Sequence, residues 1–195
     1  MARPREFDMD EALDAAMSTF WTQGYEATSM ADLTKATGLH KGSIYKAFED
    51  KHDLFMKSLG RYLDGAYERM RATLSQPGSP LDNLRSWMHG VVAMCSEQPV
   101  QRGCLAMNTA CELGAHDEAV ARALRSHHGR ATLLLIATIE RGQQAGQIRS
   151  DLPAERLAQS LFIFGAGLLG TSKVLGDMVD AAETVESALT LVLPT

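Results

Sequence analysis

Cysteine thiols are the most reactive side chains in this sequence, and two of them lie close together near its middle. Cys104 follows Arg102 and Gly103 at the start of a short apolar segment, and Cys111 comes seven residues later. If a helix begins here, its dipole and the neighbouring guanidinium both favour the thiolate of Cys104, which is the reactive form of cysteine. Seven residues make two helical turns, so the spacing predicts that both thiols lie on one helix face.

The sequence leaves three interpretations of these thiols open. In the first, all the cysteines, Cys95 included, are small buried hydrophobic residues, which is the usual state of a free cysteine. In the second, Cys104 senses oxidants or electrophiles. In the third, soft ligands bind copper or zinc, and the available ones are Cys104, Cys111, Met94 and Met107. The adjacent His127 and His128 would point about 100° apart on a helix, so we interpret them as surface residues rather than paired metal ligands.

A second group of polar side chains lies on a short segment that is too polar for a core element. Lysine reaches a guanine edge or a phosphate, serine reaches either, and a tyrosine hydroxyl reaches a phosphate. Gly42 lies among them and would permit close approach to a duplex. Two further residues, at helix starts on either side of the segment, would add phosphate contacts. The predicted DNA-binding residues are Thr28, Lys41, Ser43, Tyr45, Lys46 and Lys51. The alternative is a solvated charged face.

Signatures of catalysis are missing from the sequence. It has no glycine-rich phosphate loop, zinc-protease histidine pair, nucleophile elbow or CxxC motif, and no Glu-x-x-His pair of the kind used by catalytic helical bundles. We therefore expect no enzyme activity, no cofactor and no metal. The competing function for a helical protein of this kind is a protein–protein adaptor that binds no DNA.

Charge and composition limit where the protein can act. The chain has 195 residues and a net charge of −5, and its first 60 residues carry ten acidic side chains against seven basic ones, so a nucleic-acid surface must be a narrow stripe. Three cysteines are too few for a disulfide framework, and the N-terminus has no signal-peptide core. The most apolar run, at 157–170, is short of a membrane span. These features predict a cytoplasmic protein without a membrane partner.

The elements that must position these residues are helices. Apolar residues recur at spacings of three and four throughout, and no segment alternates as a strand would. We therefore predict an all-α fold. Two short helices joined across "ATGLH" form a helix-turn-helix, whose small core is predicted to contain Leu33, Ala36, Leu39, Ile44 and Phe48. The predicted domains are 1–50 for DNA binding and 51–195 for the remainder, with the fourth helix, 50–74, connecting them.

The segment from Ala16 to Phe55 resembles the N-terminal DNA-binding domain of TetR-type transcriptional regulators. The match includes Gly24-Tyr25, Thr28, Gly38, the run from Lys41 to Tyr45, and Lys51. The resemblance implies an all-helical homodimer with about nine helices per subunit, dimerised through helices eight and nine. It also implies double-stranded operator DNA, with a palindromic site, as a partner, and the same six DNA-contacting positions. His40 and Ala47 depart from the commoner pattern, so base preference does not carry over.

The later segment "GCLAMNTACELGAHDEAVARAL" resembles a subgroup of these regulators, some of which respond to electrophiles, oxidants, unsaturated carbonyl compounds or copper. The family resemblance implies a small-molecule effector in the second domain and a repressor released by it. Large apolar and thiol side chains there, with one amide, are the predicted ligand-binding residues: Trp87, Cys104, Met107, Asn108 and Phe162. Asn108 and Glu112, one turn apart, would either anchor a ligand or bridge neighbouring helices. The dimer face of the eighth helix is predicted to use Leu161, Phe162, Leu168 and Leu169, interleaved with glycines.

Overall fold

Helices account for almost all of the regular structure in the computed structural model, which describes residues 8–96, 102–175 and 180–194. Over these residues the chain forms nine α-helices and one short 3-10 helix at Thr190–Val192. In chain order the α-helices are α1 Met9–Gln23, α2 Met30–Thr37, α3 Lys41–Ala47, α4 Lys51–Leu74, α5 Pro80–Ser96, α6 Leu105–Leu113, α7 Glu118–Gln144, α8 Ala154–Leu175 and α9 Ala181–Leu189. The all-α prediction is confirmed.

Local capping chemistry sets the helix starts. Aspartate side chains accept backbone N–H groups at the N-termini of α1, α4, α7 and α9. Ser29 and Asp32 form a reciprocal capping box at the start of α2, which satisfies two N–H groups that would otherwise lack partners. These caps match the boundaries that polar residues before each apolar segment indicate.

The helix-turn-helix is built around a left-handed turn. Gly38 ends α2 with φ 69°, a conformation that glycine adopts without steric cost. Leu33 and Ile44 hold the two helices together and are almost completely buried, as is Phe48 just after α3. Leu39 is half-buried. The prediction that Ala36 belongs to this core is wrong, because its side chain is exposed.

A second core fills the C-terminal part of the molecule and changes the interpretation of α8. Leu161 and Leu168 are buried in this core, and Phe162 and Leu169 line a cavity. The predicted dimer face is therefore wrong in its residues, since all four side chains pack inside the subunit.

By length and composition Ala154–Val174 is apolar enough to cross a membrane, with mean hydropathy 1.2, although the apolar run identified in the sequence is shorter than a membrane span. One side of this helix lies in the core.

The sixth helix packs with the DNA-binding half rather than only with the second core. Leu105, Leu113 and the Cys104 side chain lie in the same hydrophobic cluster as Phe20, from α1, and Phe55, from α4. Hydrophobic clusters usually mark the cores of separate domains. Here one cluster crosses the boundary predicted from the sequence and joins α6 to the helix-turn-helix.

Candidate nucleic-acid interface and ligand cavity

The polar residues of α3 form an open surface. Lys41 and Lys46 are exposed, Tyr45 is 46% exposed, and Ser43 is partly exposed. Ile44 alone of this segment points fully into the core. Four of the six predicted DNA-binding side chains therefore lie outside the core on this short helix, as contact with a DNA groove requires.

Two acidic residues of α1 are paired with an arginine of the same subunit. Asp10 and Asp14 both pair with Arg61 of α4, at 3.0 Å and 2.6 Å. Hydrogen bonding from Arg61 holds the pKa of the Asp14 carboxyl below its usual value. The acidity of the first helix is thus partly neutralised within the subunit.

The other two predicted DNA-binding residues, Thr28 and Lys51, form hydrogen bonds within the turn that precedes α2. Thr28 is 1% exposed, and its hydroxyl donates to the carbonyl of Gly24 at 2.6 Å. The Lys51 ammonium donates to the carbonyls of Tyr25 and Thr28 at 2.9 Å and 3.0 Å and lies 4.2 Å from the centre of the Tyr25 ring. The Thr28 hydroxyl is therefore buried and already bonded, and the predicted phosphate contact through backbone donors at this helix start stays a prediction. Lys51 holds the turn that precedes α2.

A carboxylate on α6 holds the same turn from the other side. Glu112 accepts hydrogen bonds from the backbone N–H groups of Tyr25 and Glu26, at 3.0 Å and 2.8 Å. Gly24, at φ 86°, approaches the carboxylate so closely that a Cβ would lie 3.1 Å from both oxygens. Of the two roles open for Glu112, the structure supports bridging.

Residues before and after α6 add further links to the DNA-binding half. The indole N–H of Trp21 donates to the carbonyl of Gly103 at 3.1 Å. His52 Nε2 lies 2.6 Å from Asp117, the N-terminal cap of α7. Backbone hydrogen bonding from Val120, with the contact to His52, holds the pKa of Asp117 below its usual value. The turn between α1 and α2 and the start of α4 are thus fixed to α6 and α7.

A cavity of about 650 Å³ lies between α4, α5, α6, α7 and α8, within the usual size range for small-molecule sites. Four of the five predicted ligand-binding residues line it: Trp87, Cys104, Met107 and Phe162. Asn108 does not. Its amide donates to the Arg102 carbonyl at 2.9 Å, and the side chain faces a smaller polar crevice between α6 and the DNA-binding half. The prediction of Asn108 as a residue of this cavity is therefore corrected.

The two adjacent histidines also line the cavity, contrary to their interpretation as surface residues. His128 makes an edge-to-face contact with Phe162, with ring centres 4.6 Å apart. Burial lowers the pKa of His127, and its Nδ1 is buried without a hydrogen-bond partner among the described residues. Sequence reasoning missed this position because two adjacent polar residues on a helix usually face solvent.

The thiols occupy separate environments. Cys104 is 8% exposed and occupies the residue position just before α6, without a capping hydrogen bond from its side chain. Its sulfur lies 3.4 Å from the Tyr62 hydroxyl. Cys111 is exposed and lies in the smaller crevice, so the two thiols do not share a site. The Cys95 side chain lies outside the described residues. Over the part of the chain that is described, no group of three or more His, Cys, Asp or Glu is placed to hold a metal ion.

Comparison with known proteins accounts for both halves of this arrangement. Residues 12–56 match the model for bacterial regulatory proteins of the tetR family, and residues 80–188 match that for the tetracyclin repressor-like C-terminal domain. The chain belongs to the TetR family of transcriptional regulators. The protein is therefore a DNA-binding regulator, and the adaptor alternative is not favoured.

Individual TetR-family relatives resemble the chain over most of its length. It is 32% identical over 160 residues to the transcriptional repressor ComR of Escherichia coli, and this match covers 82% of this chain and 76% of ComR. It is 27% identical over 192 residues to the regulator YezE of Bacillus subtilis, and this match covers 98% of this chain and 99% of YezE. A cysteine mutant of the regulator CifR, solved with 26-bp operator DNA, superposes with a TM-score of 0.84 at 33% identity, covering 98% of this chain and 100% of CifR.

Proposed function

We propose that the protein is a homodimeric repressor that binds a palindromic operator and releases it when a small molecule enters the large cavity. One observation carries this proposal. Helix α6 lines the cavity through Ala106 and Met107 and binds the turn before α2 through Glu112. A ligand that displaces α6 would also displace the helix-turn-helix formed by α2 and α3. Such a ligand can shift the balance between the two positions of α6 only by the difference in its affinity for them.

The proposed DNA contacts come from Lys41, Ser43, Tyr45 and Lys46, whereas Thr28 and Lys51 fix the turn that orients α2. We retain 1–50 as the DNA-binding domain and 51–195 as the ligand-binding and dimerisation domain, with α4 as the covalent connector. Helix α6 then acts as a second, non-covalent connection. The protein would work in the cytoplasm, without catalytic activity and without a cofactor.

Dimerisation is proposed through the outward faces of α8 and α9. Ile163 and Val174 on α8 are 66% and 82% exposed, and Leu191 after α9 is 60% exposed. Gly167 lies on the same α8 face, and apart from its own helix backbone no described residue comes within 4 Å of the position that a Cβ would take. An isologous interface would cover this face. The helix-turn-helix motifs of the two subunits would then bind the two half-sites of the operator.

A gel-shift titration with the DNA upstream of the protein's own operon tests the regulatory function. We expect binding at nanomolar protein, within the usual range of about 10⁻⁸ to 10⁻¹¹ M, and weakening by a ligand of the cavity. Absence of sequence-specific binding to this DNA and to other intergenic regions of the genome would contradict the proposal.

Covalent modification of Cys104 is a second candidate trigger, favoured by the position of this thiol in the cavity wall at the start of α6. Its thiolate would add to the β-carbon of an unsaturated carbonyl compound, and the α-carbon would take up a proton. Operator release by such a compound should then be lost in Cys104→Ser and retained in Cys111→Ser. Equal release from both variants would leave only the non-covalent trigger.

A further inference from the structure

The charge on the cavity wall indicates which molecules can enter. Of the described residues that line it, none is Asp or Glu, and Arg69 is the one with a permanent charge. A cationic ligand would leave water without gaining a counter-charge from these residues, which is costly. The same wall favours an anion.

Arg69 is not neutralised by its acidic neighbours on α4. Asp64 pairs with Arg130 at 2.8 Å, and Glu68 pairs with Arg71 at 2.6 Å. The Arg69 guanidinium lies over Gly65, where a Cβ would be 3.3 Å from Nη1. Among the ion pairs of the described chain, Arg69 has none, so its charge is available to a ligand.

His127, from α7, supplies a second polar group to the lining of the same cavity. Its buried Nδ1 has no partner among the described residues, and a buried polar atom without a hydrogen bond destabilises a fold unless a ligand satisfies it. By contrast, the Tyr62 hydroxyl and the Cys104 thiol are already in contact with one another. His127 is thus the unsatisfied anchor of the cavity.

The rest of the wall is suited to an apolar body. Trp87, Met94, Met107, Phe162 and Leu169 surround most of the space. Large apolar side chains around a few placed polar groups are typical of small-molecule sites, in which the polar groups fix the orientation. A ligand with one acidic end and one hydrocarbon or aromatic end matches this distribution.

We propose that the effector is an apolar monocarboxylic acid, whose carboxylate binds between Arg69 and His127 and whose hydrocarbon part fills the cavity. This inference rests on the proposed function, because it names the chemical class of the effector. Arg69 would form a charge-assisted hydrogen bond, and the nearby anion would favour the protonated, hydrogen-bond-donating form of His127.

Isothermal titration calorimetry on the full-length protein tests the inference with two matched series. The first is decanoate, decan-1-ol and decylamine; the second is 4-phenylbutanoate, 4-phenylbutan-1-ol and 4-phenylbutylamine. In at least one series we expect the acid to bind about tenfold or more tightly than the alcohol, with the amine weakest. Acid binding no tighter than alcohol binding in both series, or no binding by any of the six probes, would overturn the inference.

Variants locate the site. Arg69→Gln and His127→Leu should each lower acid affinity about tenfold and leave alcohol affinity unchanged, whereas Arg69→Lys should retain most of the preference for the acid. Arg122→Gln, an exposed change on α7 away from the cavity, is the matched control. Acid affinity unchanged in both Arg69→Gln and His127→Leu would overturn the assignment. The gel shift without any probe, measured separately, decides the proposed operator binding, so the two failures are distinguishable.

Discussion

The Glu112 carboxylate lies 3.0 Å from the backbone nitrogen of Tyr25, although the two residues are 87 positions apart in the chain. The same carboxylate accepts the N–H of Glu26, so one side chain of α6 supports the entry to the helix-turn-helix. We infer that this contact connects the ligand cavity with the helix-turn-helix, because α6 lines the cavity and also binds the turn before α2.

Replacing Glu112 should therefore weaken both stability and signalling. Glu112→Ala removes two hydrogen bonds to a charged acceptor in a partly exposed setting, and we expect a loss of about 1–2 kcal/mol in the free energy of unfolding. The ratio of operator affinities without and with ligand should also shrink. Urea denaturation and gel-shift titration measure these effects, with the exposed Glu140→Ala on α7 as control. An unchanged ratio would mean that α6 does not transmit the signal through this contact.

Gly24 provides a separate test of the same contact. Its φ of 86° is unfavourable for other residues, and an added Cβ would also press on the Glu112 oxygens. Gly24→Ala should destabilise the fold by about 1–3 kcal/mol. Gly38→Ala, at φ 69° with open space around it, should cost less, about 1–2 kcal/mol from the backbone alone.

The double variant Gly24→Ala with Glu112→Ala distinguishes backbone strain from the steric contact. If the Cβ presses on the carboxylate, the two losses should be less than additive. Strict additivity in thermal and urea denaturation would show that only the backbone conformation matters at Gly24.

The helix-turn-helix was predictable from the sequence because its signals are local. The capping box of Ser29 and Asp32, the glycine turn at Gly38 and the burial of Ile44 each depend on a few neighbouring residues. The role of Lys51 was not predictable in this way, because its bonds to Tyr25 and Thr28 arise only when α4 folds back on the turn.

The second domain was harder to predict because its helices are apolar on more than one side. On α8, Leu161 and Leu168 were indistinguishable by type from Ile163 and Val174, yet the former pair is buried in the subunit and the latter pair exposed. Only the positions of α5 and α7 decide which apolar residues face inward.

Substitutions on α3 test the DNA surface. Tyr45→Ala should weaken operator binding by about 1–2 kcal/mol if a hydrogen bond to a phosphate is lost. Lys46→Ala should reduce the slope of log affinity against log salt by roughly one if it neutralises one phosphate. Fluorescence anisotropy over a salt series measures both, and Arg156→Ala on the exposed side of α8 is the control. Unchanged affinity in the Tyr45 and Lys46 double variant, with the fold intact, would exclude this surface.

A charge on the outer face of α8 tests the dimer. Ile163→Asp removes apolar burial worth about 1.5–3 kcal/mol per subunit and places two carboxylates in the interface. We expect a monomer by light scattering at micromolar concentration, and weaker operator binding. Met9→Glu, an exposed apolar residue on α1, should leave the dimer intact. A stable Ile163→Asp dimer would place the interface elsewhere.

Acid sensitivity should report the burial of His127. Burial is the main cause that lowers the pKa of this imidazole below 6.5; Arg130 and His128 on α7 act in the same direction, and Asp64 on α4 opposes them. As pH falls through 6.5, the unfolded chain binds a proton at this position while the folded protein stays neutral, so stability decreases toward the folded-state pKa. His127→Gln removes this titration. We therefore expect its melting temperature to fall less between pH 7.5 and pH 5.5 than that of the unmodified protein. His116→Gln, an exposed change, should leave the decrease as it was, and an equal decrease in all three proteins would show that His127 titrates alike in the folded and unfolded states.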